Sequence, residues 1–235
     1  MQVYNQILAK LHPNKSAGSM ESELLRKLDN KLLTKQALLQ KVRENPDLIP
    51  EVLSGLSSSK AAVRYGCAKV LMELSEEQPE RLYPYMDSFT VFLDSKYRIL
   101  VWNAMAIIAN LARVDQDRKF DAVFDKYYGF LNDPYMVTVA NVVGNSSRIA
   151  LAKPYLVQKI TSELLKVENI STTPHLTAEC RRVIIEKTIE SFDLFFDRIE
   201  AKDRVISFVR RNKNSSRKSL KTKAKSFLEK WAAES

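Results

Sequence analysis

The chain has 235 residues, with 37 Lys and Arg against 28 Asp and Glu for a formal charge of +9, and it is 45% hydrophobic and 28% charged. Such a balance excludes an intrinsically disordered chain, and 5 Gly with 8 Pro supply too few turn residues for an ordinary all-β or α/β fold. The charge is uneven: residues 201–235 hold eleven Lys and Arg against three Asp and Glu, a net +8, whereas residues 1–200 carry +1.

Apolar residues recur at helical spacing almost everywhere, and no stretch alternates with a period of two. A short amphipathic piece with Val3, Ile7, Leu8 and Leu11 comes first, followed by His12-Pro13 and the SAGS of residues 16–19. Leu24, Leu25, Leu28, Leu32 and Leu39 then line one side of a leading helical region. From there the pattern falls into pairs: 47–56 with 61–76, 80–93 with 97–112, 118–131 with 135–152, 154–167 with 175–199, and 201–211 with 217–233. Asp133 and Pro134 suit the cap and first position of the helix they precede. The most apolar run, Ile99 to Ala112, is about fourteen residues with two asparagines, which is too short and too polar to span a bilayer. The start MQVYNQILAKLHPNK has no secretory leader pattern. Cys67 and Cys180 sit in apolar helical patterns without CxxC spacing, as expected of buried thiols in a reducing cytoplasm.

The pairs repeat one another. FLDSKYRILVWNAMA at 92–106 returns 38 residues later as FLNDPYMVTVANVVG, so that Phe92, Leu93, Tyr97, Val101 and Asn103 become Phe130, Leu131, Tyr135, Val139 and Asn141. At an offset of 37, Leu93, Ser95, Ala104, Ile107, Ile108 and Leu111 map back onto Leu56, Ser58, Cys67, Val70, Leu71 and Leu74. A helical hairpin of this length cannot bury its apolar faces alone, so neighbouring copies must stack. Val63-Arg64, followed by Cys67-Ala68 and Val70-Leu71, resembles the second-helix pattern of HEAT repeats, over residues 44–200 in particular. The expectation is one all-α domain over residues 1–235: a right-handed α-α superhelix of about five hairpins, with leading helices in 1–43 and a basic capping hairpin in 201–235. Binding scaffolds are the usual function that this resemblance implies.

The chemistry is sparse. His12 and His175 have no ligand-spaced companions, and no phosphate loop occurs, so no metal, cofactor, small-molecule ligand or catalytic residue is expected. The HEAT-like alkylpurine DNA glycosylases use tryptophans with an aspartate, but one turn after Trp102 stands Ala106. Asn103 and Asn110, seven apart on one helix, and Asn141 at the position equivalent to Asn103, offer donors and acceptors for a peptide backbone. The resemblance to armadillo proteins adds an asparagine ladder for that purpose, with a tryptophan one turn earlier, where here Trp102 adjoins Asn103. Where the second repeat has Ile107-Ile108, the third has Asn145-Ser146 after Gly144. Polar groups at core positions imply either a kink or a polar pocket, to which Arg148, Arg181 and Arg182 could add charge. The leading expectation is a noncatalytic protein or peptide scaffold using the second-helix surface. Two alternatives stand beside it: a nucleic-acid module through Arg210, Arg211, Lys218, Lys221 and Lys225, and a glycosylase around Trp102.

Overall fold

A computed structural model describes residues 22–232, and the amphipathic piece expected at 3–11 lies outside them. The described residues form helices α1 Glu23–Asp29, α2 Lys35–Glu44, α3 Ile49–Gly55, α4 Ala61–Glu77, α5 Pro79–Leu82, α6 Met86–Phe92, α7 Arg98–Leu111, α8 Lys119–Gly129, α9 Met136–Ala152, α10 Val157–Leu165, α11 Ala178–Asp193, α12 Lys202–Asn212 and α13 Lys218–Trp231. Their one extended pairing is the isolated bridge between Thr173 and Leu176. The chain divides into two compact units, 1–120 and 121–235, with the boundary in the first turn of α8.

In the first unit, the leading leucine run is two helices and not one. Asn30 ends α1, Lys31 takes a left-handed φ of 61°, and Thr34 restarts the helix by accepting from the Ala37 amide. Leu25, Leu28, Leu33, Leu38, Leu39 and Val42 enter the core, and Leu32, stranded on the turn, is 77% exposed. The next first helices are broken near prolines: a 3-10 turn at Pro46–Leu48 leads into α3, and α5, a 3-10 turn at Tyr83–Tyr85 and α6 make one bent element. The second helices α4 and α7 are long and packed side by side. Their buried positions coincide at the offset of 37: Val63, Arg64, Cys67, Ala68, Val70, Leu71 and Leu74 correspond to Leu100, Val101, Ala104, Met105, Ile107, Ile108 and Leu111.

The Arg64 of the HEAT-like pattern is buried. Its guanidinium donates to the Ser58 and Ser59 carbonyls at 2.7 and 3.2 Å and lies 3.7 Å from the centre of the Tyr97 ring. It ties the SSSK turn of one hairpin to the start of the next second helix. Burial pushes the Cys67 thiol up to about 12, so this cysteine is an inert packing group. Asp115 accepts the Lys119 and Phe120 amides at 2.8 and 2.9 Å, capping α8, and also takes the Tyr83 hydroxyl.

In the second unit α9 and α11 pack as the corresponding pair, and α13 packs on α11 and α12. The helix expected over 175–199 begins only at Ala178, capped by Thr177, and gives way after Asp193 to a 3-10 turn at Phe196–Arg198. Pro134 is not its neighbour's first residue either: Asp133 accepts the Tyr135 amide in a local turn and α9 starts at Met136. Cys180 is half-buried, its sulfur accepting the Thr177 hydroxyl, so it is less enclosed than the sequence pattern suggests.

One device recurs within each unit. Arg81 donates to the Arg43 carbonyl, Arg113 to that of Glu76, and Arg198 to that of Leu151, at 2.8, 2.6 and 3.1 Å. Each arginine thus satisfies a carbonyl in the last turn of an earlier second helix, where a cation also meets the negative end of the helix dipole.

Two glycines separate packing from propensity. A methyl group on Gly55 would collide with the Cys67 sulfur, whereas one on Gly144, inside α9, meets open space. Gly55→Ala should therefore lower stability by ~1–3 kcal/mol through overpacking, and Gly144→Ala should raise it by ~0.5–1 kcal/mol. Urea titrations of the two variants check both signs.

Candidate binding surface

The second helices present narrow ridges. On α7, Ile99 is 43% exposed, and Trp102, Asn103 and Ala106 are half-buried beside it. No charged residue occurs between Arg98 and Arg113. In the second unit α9 repeats the design: Val137 is 45% exposed, Gly144 is open, and Ala140 and Asn141 are half-buried. There the uncharged stretch runs from Pro134 to Ser147. In a chain that is 28% charged, two solvent-facing ridges without charge are unusual.

The two asparagines of equivalent position differ in what their amides do. Asn141 donates to the Val137 carbonyl at 2.8 Å, one turn back on its own helix, a bond that uses its nitrogen and leaves its oxygen able to accept. Asn103 is half-buried on the α7 ridge. In the first unit Gly66 stands at the Asn103 place, covered by Leu28, and in the second the burial pattern of α11 follows that of α9 at an offset of 42, which puts Val183 at the Asn141 place. An asparagine therefore occurs on one second helix of each unit and is not continued onto the other.

Asn110 is a different kind of group. It is 4% exposed and donates to the Ser75 hydroxyl at 2.9 Å, fastening α7 to α4, so the seven-residue spacing that aligned it with Asn103 does not put it on the surface.

The polar run at Asn145-Ser146 is enclosed within one continuous helix. α9 continues unbroken from Met136 to Ala152, and Asn145 and Ser146 are buried. Their partners are the tyrosines of α8: Tyr127 bonds the Asn145 side chain, and Tyr128 donates to the Ser146 hydroxyl at 3.2 Å, which donates in turn to the Val142 carbonyl at 2.8 Å. Burial drives both phenols well above their ordinary range, so they remain neutral. At the offset of 38, Tyr127 and Tyr128 replace Phe89 and Thr90. That exchange was the available signal: where two isoleucines became polar, a phenylalanine gained a hydroxyl.

The predicted arginines do not converge. Arg148 is exposed and donates to Asn145 at 3.3 Å. The register of α11 on α9 sets it level with Glu190, nine residues or about 13 Å along the helix from Arg181. Arg182 is paired with Glu179 at 2.9 Å, while Arg181 is half-buried. Arg211 is held in a two-pronged pair by Glu168 at 2.6 and 2.7 Å. Arg210, Lys218, Lys221 and Lys225 are exposed.

What the sequence reading missed is an ion ladder between α11 and α13. Arg217 bridges Glu179 and Glu186 at 2.6 and 2.7 Å, Lys223 reaches Glu190 at 3.4 Å, and Lys230 and the Trp231 indole both meet Asp193, at 2.8 and 2.7 Å. A groove of about 850 Å³ runs along this seam, and another of about 710 Å³ lies among Asp125, Tyr128, Asp133, Glu163 and Thr173. Of the predicted residues only Lys218 lines either groove. Among the described residues there is no group of three or more potential metal ligands, and no helix is long and apolar enough to cross a membrane.

The sequence matches no family model and no curated relative. Solved structures do match: a designed armadillo repeat protein in complex with the peptide (KR)4 at 16% identity, covering 95% of this chain and 97% of that one with a TM-score of 0.59. A computationally designed armadillo repeat protein for modular peptide recognition aligns at 17% identity, 95% and 98% coverage and a TM-score of 0.57. A further designed armadillo repeat protein gives 16%, 95%, 98% and 0.53. The chain has the all-α, superhelical helix-hairpin fold of the HEAT and armadillo kind.

Two outcomes follow from these contacts. Tyr127→Phe should destabilise by ~1–3 kcal/mol by removing the tyrosine partner of the buried Asn145 side chain, and adding Asn145→Ile should recover most of the loss, as read in a double-mutant cycle by urea denaturation. The second concerns pH. Burial raises Asp193, but the bonds from Lys230 and Trp231 outweigh it and hold the carboxyl below its ordinary value; Glu186 behaves likewise with Arg217 and Ser219. Depressed carboxyls stabilise above their unfolded values, so the contribution is full above about pH 5 and disappears as the pH falls below about 4. Acid titration of Trp231 fluorescence in a Trp102→Phe background should show α13 loosening in that window.

Proposed function

We propose that the protein is a noncatalytic scaffold that binds a protein or peptide segment on the ridge of a second helix, that of α7 in the first unit or that of α9 in the second. The observation that carries this reading is the uncharged, solvent-facing ridge on each helix, with a half-buried asparagine among small and aliphatic residues. Small side chains such as Ala106, Ala140 and Gly144 let a bound chain approach the helix, and amide groups answer its backbone polarity. Two of the similar structures support the reading, one solved with a peptide and one designed for modular peptide recognition. Trp102 fits the same surface as a rigid contact. The residue one turn after it is Ala106 and not a carboxylate, which favours binding over glycosylase chemistry.

Selection of a random-peptide display library against the whole chain tests this. Enriched peptides should bind at least about tenfold more weakly to Asn103→Ala or Asn141→Ala, and weaker still to Val137→Glu, by isothermal titration. Enriched peptides that bind all three variants like the parent would remove the proposal.

A further inference from the structure

The basic hairpin α12–α13 spends only part of its charge on its neighbour. With 100° per residue and the buried Leu220, Ala224 and Phe227 marking the inward direction, Ser219, Lys223 and Lys230 fall on one flank of α13, where they engage α11. Lys221 and Lys225 fall on the other, and Lys218 stands between the two, at the rim of the groove along the α11 seam. All three are exposed, and no ion pair joins them to any described residue. The turn of the hairpin brings two more exposed cations to the same end, Arg210 and Lys213 in and just after the last turn of α12. Glu229 is the only carboxylate in α13, one turn beyond Lys225.

The two flanks differ in kind. The flank facing α11 mixes its cations with neutral donors, the Ser219 hydroxyl and the Trp231 indole, each bonded to a particular carboxylate. Such a mixture selects a partner helix with acids at fixed places. On the open flank the cations stand on flexible lysine stems beside the half-buried Leu228, with no hydroxyl or indole donor bonded to a carboxylate and no aromatic ring for a base to stack on. We infer that the flank of Lys221 and Lys225, with Lys218, Arg210 and Lys213, binds the phosphate backbone of double-stranded nucleic acid without reading its sequence. Neutralising phosphates releases condensed counterions, which supplies the affinity and makes it depend steeply on salt. This surface uses none of the residues of the α7 and α9 ridges, so either reading can fail without the other.

Fluorescence anisotropy of a labelled DNA duplex with the full chain tests the inference. Five phosphate contacts give a slope of log K against log salt of about −4.5, so affinity should fall about 500-fold between about 50 and about 200 mM salt. The combined variant Lys218→Gln, Lys221→Gln and Lys225→Gln, its folding checked by circular dichroism, should bring the slope to about −2. Two unrelated duplex sequences should bind alike. No binding at about 50 mM salt would overturn the inference. So would an equal loss in the charge-matched control Lys35→Gln, Lys41→Gln and Lys69→Gln, which would mark attraction to net charge, or a preference for poly-glutamate over the duplex, which would mark an acidic protein partner.

Discussion

A pair of helices this short has more apolar surface than it can hide by folding against itself, and the structure is organised around that deficit. Within each unit the second helices take up the excess by packing against their own first helix on one side and another second helix on the other. Burial of this kind stabilises at roughly 25 cal/mol per Å², and it leaves each second helix one narrow strip of solvent contact. The strip is the natural place for recognition because its backbone is fixed by packing on both sides while its side chains are free to vary. On α7 and α9 the variation runs toward small, aliphatic and amide groups; on α11 and α13 it runs toward charge.

Polar chemistry serves the same packing. The arginines that reach the last carbonyls of earlier second helices, and Arg64 between the SSSK turn and the Tyr97 ring, satisfy backbone groups that stacking would otherwise strand. Surface ion pairs contribute little singly, ~0–1 kcal/mol each. In the α11–α13 ladder their effect is positional: four carboxylates fix how the last described helix sits, and therefore which of its lysines are left over.

The repeat was legible in the sequence because burial repeats. The offsets of 37 and 38 found in Leu, Ile and Val positions are the offsets at which buried residues coincide on α4, α7 and α9. Departures from the pattern were harder to read. Leu32 has the spacing of a core residue and is exposed, because the chain reverses at Lys31, and a left-handed lysine leaves no trace in a hydrophobicity pattern. Asn110 lies on the expected face by angle and is buried because Ser75 offers it a partner from another helix. Which carboxylate meets which lysine depends on the register between α11 and α13, and the changed hairpin lengths there, 42 residues in place of 38, hid it.

Copies that resemble one another this closely raise a question of assembly. The first helix α6 could in principle lie against α9, since its apolar positions match those of α8 at the offset of 38. It would bring Phe89 where Tyr127 belongs and Thr90 in place of Tyr128, leaving the buried Asn145 side chain without its tyrosine partner. A lost partner at a buried amide costs ~1–3 kcal/mol, enough to shift a choice between near-equal pairings by about fivefold or more in favour of the correct one. The tyrosine–asparagine contact thus acts as an address written into the core, one that a run of isoleucines could not carry.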